Sequence, residues 1–148
     1  MSEEVSNLPP NSDSDHPVVS RVLGLRRWAV VGCSPDPGRD SHEVARFLLD
    51  QGYDVVPVNP SVQEVLGRRC YPSVAAIHGQ VDVVDIFRRS EQAGSHVDEA
   101  IAAGARAVWL QLGVVDFAAA ARAQAAGLDV VMDRCPRIEL PRLRATGR

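Results

Sequence analysis

Apolar residues along this chain fall into short unbroken runs, separated by stretches with helical spacing. Trp28-Ala29-Val30-Val31 is the first run, and it stops at Gly32. A run without alternation suits a parallel strand covered on both faces, because a half-exposed strand would alternate apolar and polar positions. Mostly apolar stretches over 54–58, 81–87, 106–112 and 128–132, the second of them interrupted by Asp82 and Asp85, predict four further strands. Between them the period changes. Val44, Phe47 and Leu48 share one face of a helix predicted over 40–51, closed by Gly52. A short helix is predicted over 73–78. A longer one covers 95–103, with Ser95 as cap and Gly104 as stop. An alanine-rich helix covers 116–126, between Asp116 and Gly127. Upstream, Asp15-His16-Pro17 caps a short helix that puts Val18, Val22 and Leu23 on one side and ends at Gly24. From 133 to 148 the pattern is irregular and arginine-rich, and no element is predicted there.

Strand and helix alternate with short links. Parallel strands need crossovers, and right-handed crossovers put helices on both sheet faces. The predicted fold class is therefore α/β: a single doubly wound, Rossmann-like domain with a mostly parallel five-stranded sheet. A chain of 148 residues has room for one such core but hardly for two. Residues 1–14 read as a disordered polar tail, 15–143 as the domain and 144–148 as a C-terminal tail. Composition is that of a soluble globular domain, with 45% hydrophobic and 24% charged residues. The net charge of −3 speaks against nucleic-acid binding, which wants a basic footprint. No apolar run approaches the roughly 20 residues that cross a membrane, and 1–15 lacks the apolar core of a signal peptide, so a cytoplasmic location is expected. Cys33, Cys70 and Cys135 are odd in number and far apart, which suits neither a disulfide framework nor a zinc site. The histidines show no ligand spacing either, and no metal is expected. The chain contains no lysine. That excludes a Schiff-base lysine and a P-loop, so an anion would be held by arginines, backbone amides and hydroxyls.

Ligands of doubly wound sheets bind beyond the carboxyl ends of the strands. After the first strand comes Gly32-Cys33-Ser34-Pro35-Asp36-Pro37-Gly38-Arg39-Asp40-Ser41. A glycine there lets backbone approach a phosphate, and the helix that follows offers free amides and the positive end of its dipole. A plain strand-to-helix turn is the alternative. The dinucleotide fingerprint is absent, since Ser34 and Pro37 stand where its second and third glycines would be. After the second strand, Asn59-Pro60 supplies no acid for a ribose, and on its own it reads as a turn initiator. The third, fourth and fifth strands are followed by Phe87-Arg88-Arg89-Ser90, Gln111-Leu112-Gly113 and Met132-Asp133-Arg134-Cys135-Pro136. Trp28 and Trp109 read as core. His42 and His96 read as solvated helix residues. Arg137, Arg142, Arg144 and Arg148 read as a solvated tail, with Arg134 and Arg137 in reach of the ligand edge.

Several of these motifs together resemble a known family: Gly-x-Ser-Pro with Arg-x-Ser, Val-Pro-Val-Asn-Pro, Leu-Gly-Arg, Tyr-Pro-Ser, the block from Asp82 to Ser90, Trp-Leu-Gln-Leu-Gly and Val-Met-Asp-Arg-Cys. In this order they resemble the small bacterial and archaeal CoA-binding proteins, similar to the CoA-binding domain of the succinyl-CoA synthetase α subunit. The match runs over 18–143. The resemblance implies coenzyme A as cofactor. Gly32, Cys33, Ser34, Arg39 and Ser41 would then surround the pyrophosphate, and Val58, Asn59 and Pro60 would border the adenosine end. Phe87, Arg88 and Arg89 would line the cleft, with Gln111 and Gly113 on the pantetheine side. Two positions depart from the family's pattern. Ser61 replaces a common lysine, and Cys33 replaces the usual alanine. Arg68 or Arg69 could take over the missing charge. The synthetase's second, phosphohistidine-bearing domain has no room in this chain, so its ligase activity is not expected. The resulting expectation is a stand-alone, non-catalytic module that binds CoA or an acyl-CoA as sensor, carrier or regulatory partner. The alternatives are a small enzyme using CoA thiol or thioester chemistry at Cys33 or Cys135 and, more remotely, an NAD(P)-dependent oxidoreductase, which would need an intact glycine fingerprint or a tyrosine–lysine pair.

Overall fold

The computed structural model of the protein describes residues 16–145. The tail predicted over 1–14, the cap at Asp15 and the terminal Arg148 lie outside the described residues. Five parallel strands form one sheet: β1 (Arg27–Val31), β2 (Asp54–Val58), β5 (Val83–Ile86), β6 (Ala107–Leu110) and β7 (Asp129–Met132), in the order β2-β1-β5-β6-β7. A separate antiparallel pair, β3 (Glu64–Val65) and β4 (Arg68–Arg69), and a 3-10 turn over Val74–Ala76 lie in the crossover from β2 to β5. The α-helices are α1 (His16–Leu23), α2 (Asp40–Asp50), α3 (Ser90–Ala102), α4 (Phe117–Ala125) and α5 (Pro136–Ala145). The fold is the α/β architecture that the strand–helix alternation predicts.

Alternate strand residues feed two cores, as the pleat requires. Trp28, Val30, Val83, Ala107 and Trp109 pack with Val22 of α1, Leu48 of α2 and Leu140 of α5. Ala29, Val31, Val84, Ile86 and Leu110 pack on the other face with Val97 of α3 and Ala119 and Ala123 of α4. Both tryptophans are fully buried, with ring centroids 5.5 Å apart. Each indole N–H finds a carbonyl: Trp28 donates to Leu25 at 2.9 Å and Trp109 to Arg134 at 2.7 Å. The core reading of both is correct.

Several predictions need correction. The helix predicted over 95–103 begins at Ser90. Gly94 and Ser95, which look like a loop and a cap, sit inside it. Gly94 is there for space, since a Cβ would stand 3.1 Å from the Asp116 side chain at the start of α4. The irregular stretch predicted beyond 133 holds α5, which runs through Arg144, where a tail is predicted. Pro136 opens that helix, a position where its missing N–H costs nothing. His42, predicted to be solvated, is buried, and its Nδ1 bonds the Ser34 carbonyl at 2.9 Å. Strands β5 and β6 are also shorter than their apolar runs, because 81–82, 87 and 111–112 lie beyond the paired segments. Asp116 caps α4 as predicted, accepting from the Ala119 amide at 2.9 Å.

Candidate functional site

From β1 the chain moves to β2 on one side, whereas β5 lies on the other. Between the ends of β1 and β5 the sheet therefore has a topological switch point, where doubly wound sheets open a crevice. A crevice of about 290 Å³ lies there. It is walled by Gly32, Arg39 and Ser41 from the first loop and α2, by Phe87, Arg88 and Arg89 beyond β5, and by Gln111 beyond β6. A second cavity of about 350 Å³ adjoins it through Asp40, Phe87, Gln111 and Leu112, and is lined further by Val44, Cys135 and Ile138.

Gly32 is indispensable to this geometry. It takes φ +83°, and a Cβ would stand 2.5 Å from the Phe87 carbonyl oxygen and 3.4 Å from Arg88 Nε. The glycine thus lets the end of β1 close onto the end of β5. Its amide, however, is not open to a phosphate. Gly32 and Cys33 both donate to the Val58 carbonyl, at 2.9 and 3.2 Å. Ser34 donates to Ser41 Oγ at 2.9 Å, and Asp36 Oδ1 accepts from Gly38 at 2.9 Å. The loop is tied to its own strand and helix, contrary to the expectation of amides aimed outward. The amides of Asp40 and Ser41, first in α2, have no acceptor among the described residues.

Cations supply the rest. The guanidinium groups of Arg39, Arg88 and Arg89 have no hydrogen-bond or ion-pair partner among the described residues, and Arg88 Nε is buried without one. Several other arginines are engaged in ion pairs: Arg21 with Asp129, Arg122 with Asp98, Arg137 with Glu43. A buried donor left unpaired costs free energy comparable to a lost hydrogen bond. An anion seated in the crevice would satisfy it, so the donor set fits the phosphates of the cofactor that the sequence motifs imply.

Of the sequence-predicted site residues, Gly32, Arg39, Ser41, Phe87, Arg88, Arg89 and Gln111 meet at the first crevice. The others have work within the fold. Cys33 is fully buried, and burial, with Cys70 and Asp85 nearby, pushes its thiol up to about 12. Ser34 Oγ accepts from Asp36. Val58 is buried, and its carbonyl receives the loop amides. Asn59 Nδ2 donates to the Cys33 carbonyl and its Oδ1 accepts from Ser61, both at 2.9 Å, which turns the chain through Pro60. The Gly113 amide donates to Asp133 Oδ1 at 2.7 Å. Arg68 is committed to the Val55 carbonyl and to Asp54. Arg69 lies over the Tyr71 ring, 4.6 Å from its centroid, and Tyr71 bridges to Val58. Sequence reasoning missed Asp40, Leu112 and Val114 at the first crevice and Val44 and Ile138 at the second. Leu112 and Ile138 are also among the large apolar side chains left exposed, a signal visible only in three dimensions.

Among the described residues no helix is long and apolar enough to cross a membrane. The uncharacterised protein YneT of Bacillus subtilis is 39% identical over 113 residues, covering 76% of this chain and 84% of that protein. A hypothetical protein from Pyrococcus horikoshii superposes with a TM-score of 0.84 at 40% identity, covering 91% of this chain and 94% of that one. Acetate–CoA ligase [ADP-forming] I of Archaeoglobus fulgidus is 32% identical over 81 residues, 55% of this chain but only 12% of the ligase. The model of the CoA binding domain matches residues 26–141, which span every strand and both cavities of the ligand edge, and the chain belongs to that family.

Proposed function

We propose that this chain binds coenzyme A or an acyl-CoA at the carboxyl edge of its sheet, as a stand-alone module with no catalytic group of its own. The observation that carries the reading is the unpartnered guanidinium set of Arg39, Arg88 and Arg89, with Arg88 Nε buried and unsatisfied. Guanidinium forks match phosphate oxygens. The free amides at the start of α2 add donors and the positive end of a helix dipole. The adjoining cavity offers Val44, Phe87, Leu112 and Ile138 to the pantetheine arm or an acyl chain. The adenosine end would then border Val58, Asn59 and Pro60. Arg69, beside Tyr71, is the cation at hand for a 3′-phosphate where Ser61 replaces lysine.

Nicotinamide dinucleotides are poor candidates, since Asn59 is neutral and both ends of its amide are engaged within the fold. Thiol catalysis finds little support as well. A thiol titrating near 12 is not a thiolate at neutral pH, which removes Cys33 as a nucleophile. Cys135 lines the second cavity, where the carboxylates are Asp40, at the start of α2, and Glu43, which is paired with Arg137. The ligase relatives exceed this chain many-fold in length, and their activity is not assigned to it. The proposed role is that of a sensor, carrier or regulatory partner, each of which needs binding alone.

Thermal melts with CoA, acetyl-CoA, dephospho-CoA and NAD test the reading. A ligand at 100 times its Kd stabilises by about 2.7 kcal/mol, which raises Tm by several degrees in a domain of this size. CoA and acetyl-CoA are expected to stabilise most, dephospho-CoA less and NAD least. An unchanged Tm with every CoA form at millimolar concentration would overturn it.

A further inference from the structure

Asp85 is the one acidic residue with no exposed surface among the described residues. It sits in the middle of β5, level with Val30 of β1 and Trp109 of β6, on the core face that carries both tryptophans. One end of the Gln111 carboxamide lies 2.9 and 3.3 Å from its two oxygens. Gln111 is itself buried and lines both cavities. The other end of that amide faces only hydrogen-bond donors. A carboxyl group sealed in the core is thus joined, through one side chain, to the surface that would touch the ligand.

We propose that Asp85 is a positioning residue whose carboxyl group fixes which end of the Gln111 carboxamide faces the crevice, and so whether the ligand meets a donor or an acceptor there. The proposal deepens the CoA-binding reading and rests on it for the ligand's identity. The two amide ends are alike in shape but opposite in hydrogen-bond sense. A neutral Asp85 donates its O–H to Gln111 Oε1 and turns the NH₂ outward. An ionised Asp85 accepts from Nε2 and turns Oε1 outward. The charged and titratable groups on this side of the sheet include Cys33, Cys70, Cys135, Tyr53, His42, Arg88 and the Arg134–Glu139 pair. Cys33 is a neutral thiol, and burial alone holds Asp85 well above the usual carboxylate range. The neutral form, which dominates at lower pH, therefore offers an N–H donor to a crevice already lined by arginines. That suits a phosphate or carbonyl oxygen. Rising pH ionises Asp85, presents Oε1 instead and weakens the ligand.

The test compares wild type, Asp85→Asn and Asp85→Val. Gln111 side-chain amide resonances are recorded without ligand, and the Kd for CoA is measured at pH 6 and pH 9. Asparagine donates to Oε1 at every pH, as neutral aspartic acid does. Its affinity is expected to match wild type at low pH and to lose the roughly tenfold weakening that wild type shows as rising pH ionises Asp85. Valine frees the amide; its Gln111 resonances should move, and CoA should bind about tenfold more weakly at pH 6. Identical pH profiles for wild type and Asp85→Asn would overturn the proposal, as would unmoved Gln111 resonances in Asp85→Val. Should the valine variant fail to fold, the asparagine profile decides. Should wild type bind no CoA at all, the functional reading falls, and the Gln111 resonances still decide whether Asp85 positions the amide.

Discussion

Replacing Arg88 by glutamine separates binding from folding. Its Nε is buried without a partner, so the native fold gains no hydrogen bond from it. A charged hydrogen bond to a ligand phosphate is worth about 1.5–3 kcal/mol, roughly a ten- to hundredfold change in affinity. Arg88→Gln is expected to leave Tm within a degree or two of wild type while weakening CoA by that factor in calorimetric titration. Wild-type affinity in the variant would remove Arg88 from the site. At this scale the sequence is readable where a residue's place follows from the strand it ends. Phe87, Arg88 and Gln111 lie just past apolar runs, and all three line the crevice. The loop amides are not readable in that way. Their acceptors, the Val58 carbonyl and Ser41 Oγ, are set by the register of β2 against β1 and by the start of α2. No local pattern reports either.

Helix α5 shows where element-level reading stops. Its sequence, PRIELPRLRA, carries two prolines and three arginines and has the chemistry of a tail. Its order comes from non-local contacts. Arg134 pairs with Glu139 at 3.2 Å, both side chains nearly buried, while Arg137 reaches Glu43 and Arg144 reaches Gln51 on α2. Breaking a buried ion pair by removing one partner costs about 3–5 kcal/mol. Glu139→Ala is expected to lower stability by about that much in urea unfolding and to loosen the second cavity, whose wall includes Ile138 of α5. A loss under 1 kcal/mol would mean that α5 is held by apolar packing alone. Elements with a continuous apolar run or a strong cap, such as β1, β2 and α4, were legible to within a residue or two. The start of α3 was hidden by Gly94, whose role is close packing against α4 rather than a break in the helix.

At the scale of the whole molecule, strand order places the chemistry. The sheet runs β2-β1-β5-β6-β7, so the switch point falls between Gly32 and Phe87, beside Arg39, Arg88 and Arg89. The alternation of elements announces such an edge. It does not announce that the first loop is closed on itself, so that in the proposed complex the phosphate donors are the guanidinium groups and the first amides of α2. Nuclear magnetic resonance of the ¹⁵N-labelled protein titrated with CoA reads that division directly. The largest shifts are expected at the backbone amides of Asp40 and Ser41 and at the Nε–H of Arg88, with Gly32 and Cys33 moving less because their amides stay bonded to Val58. Shifts confined to the far end of the sheet, or none at saturating CoA, would contradict the account.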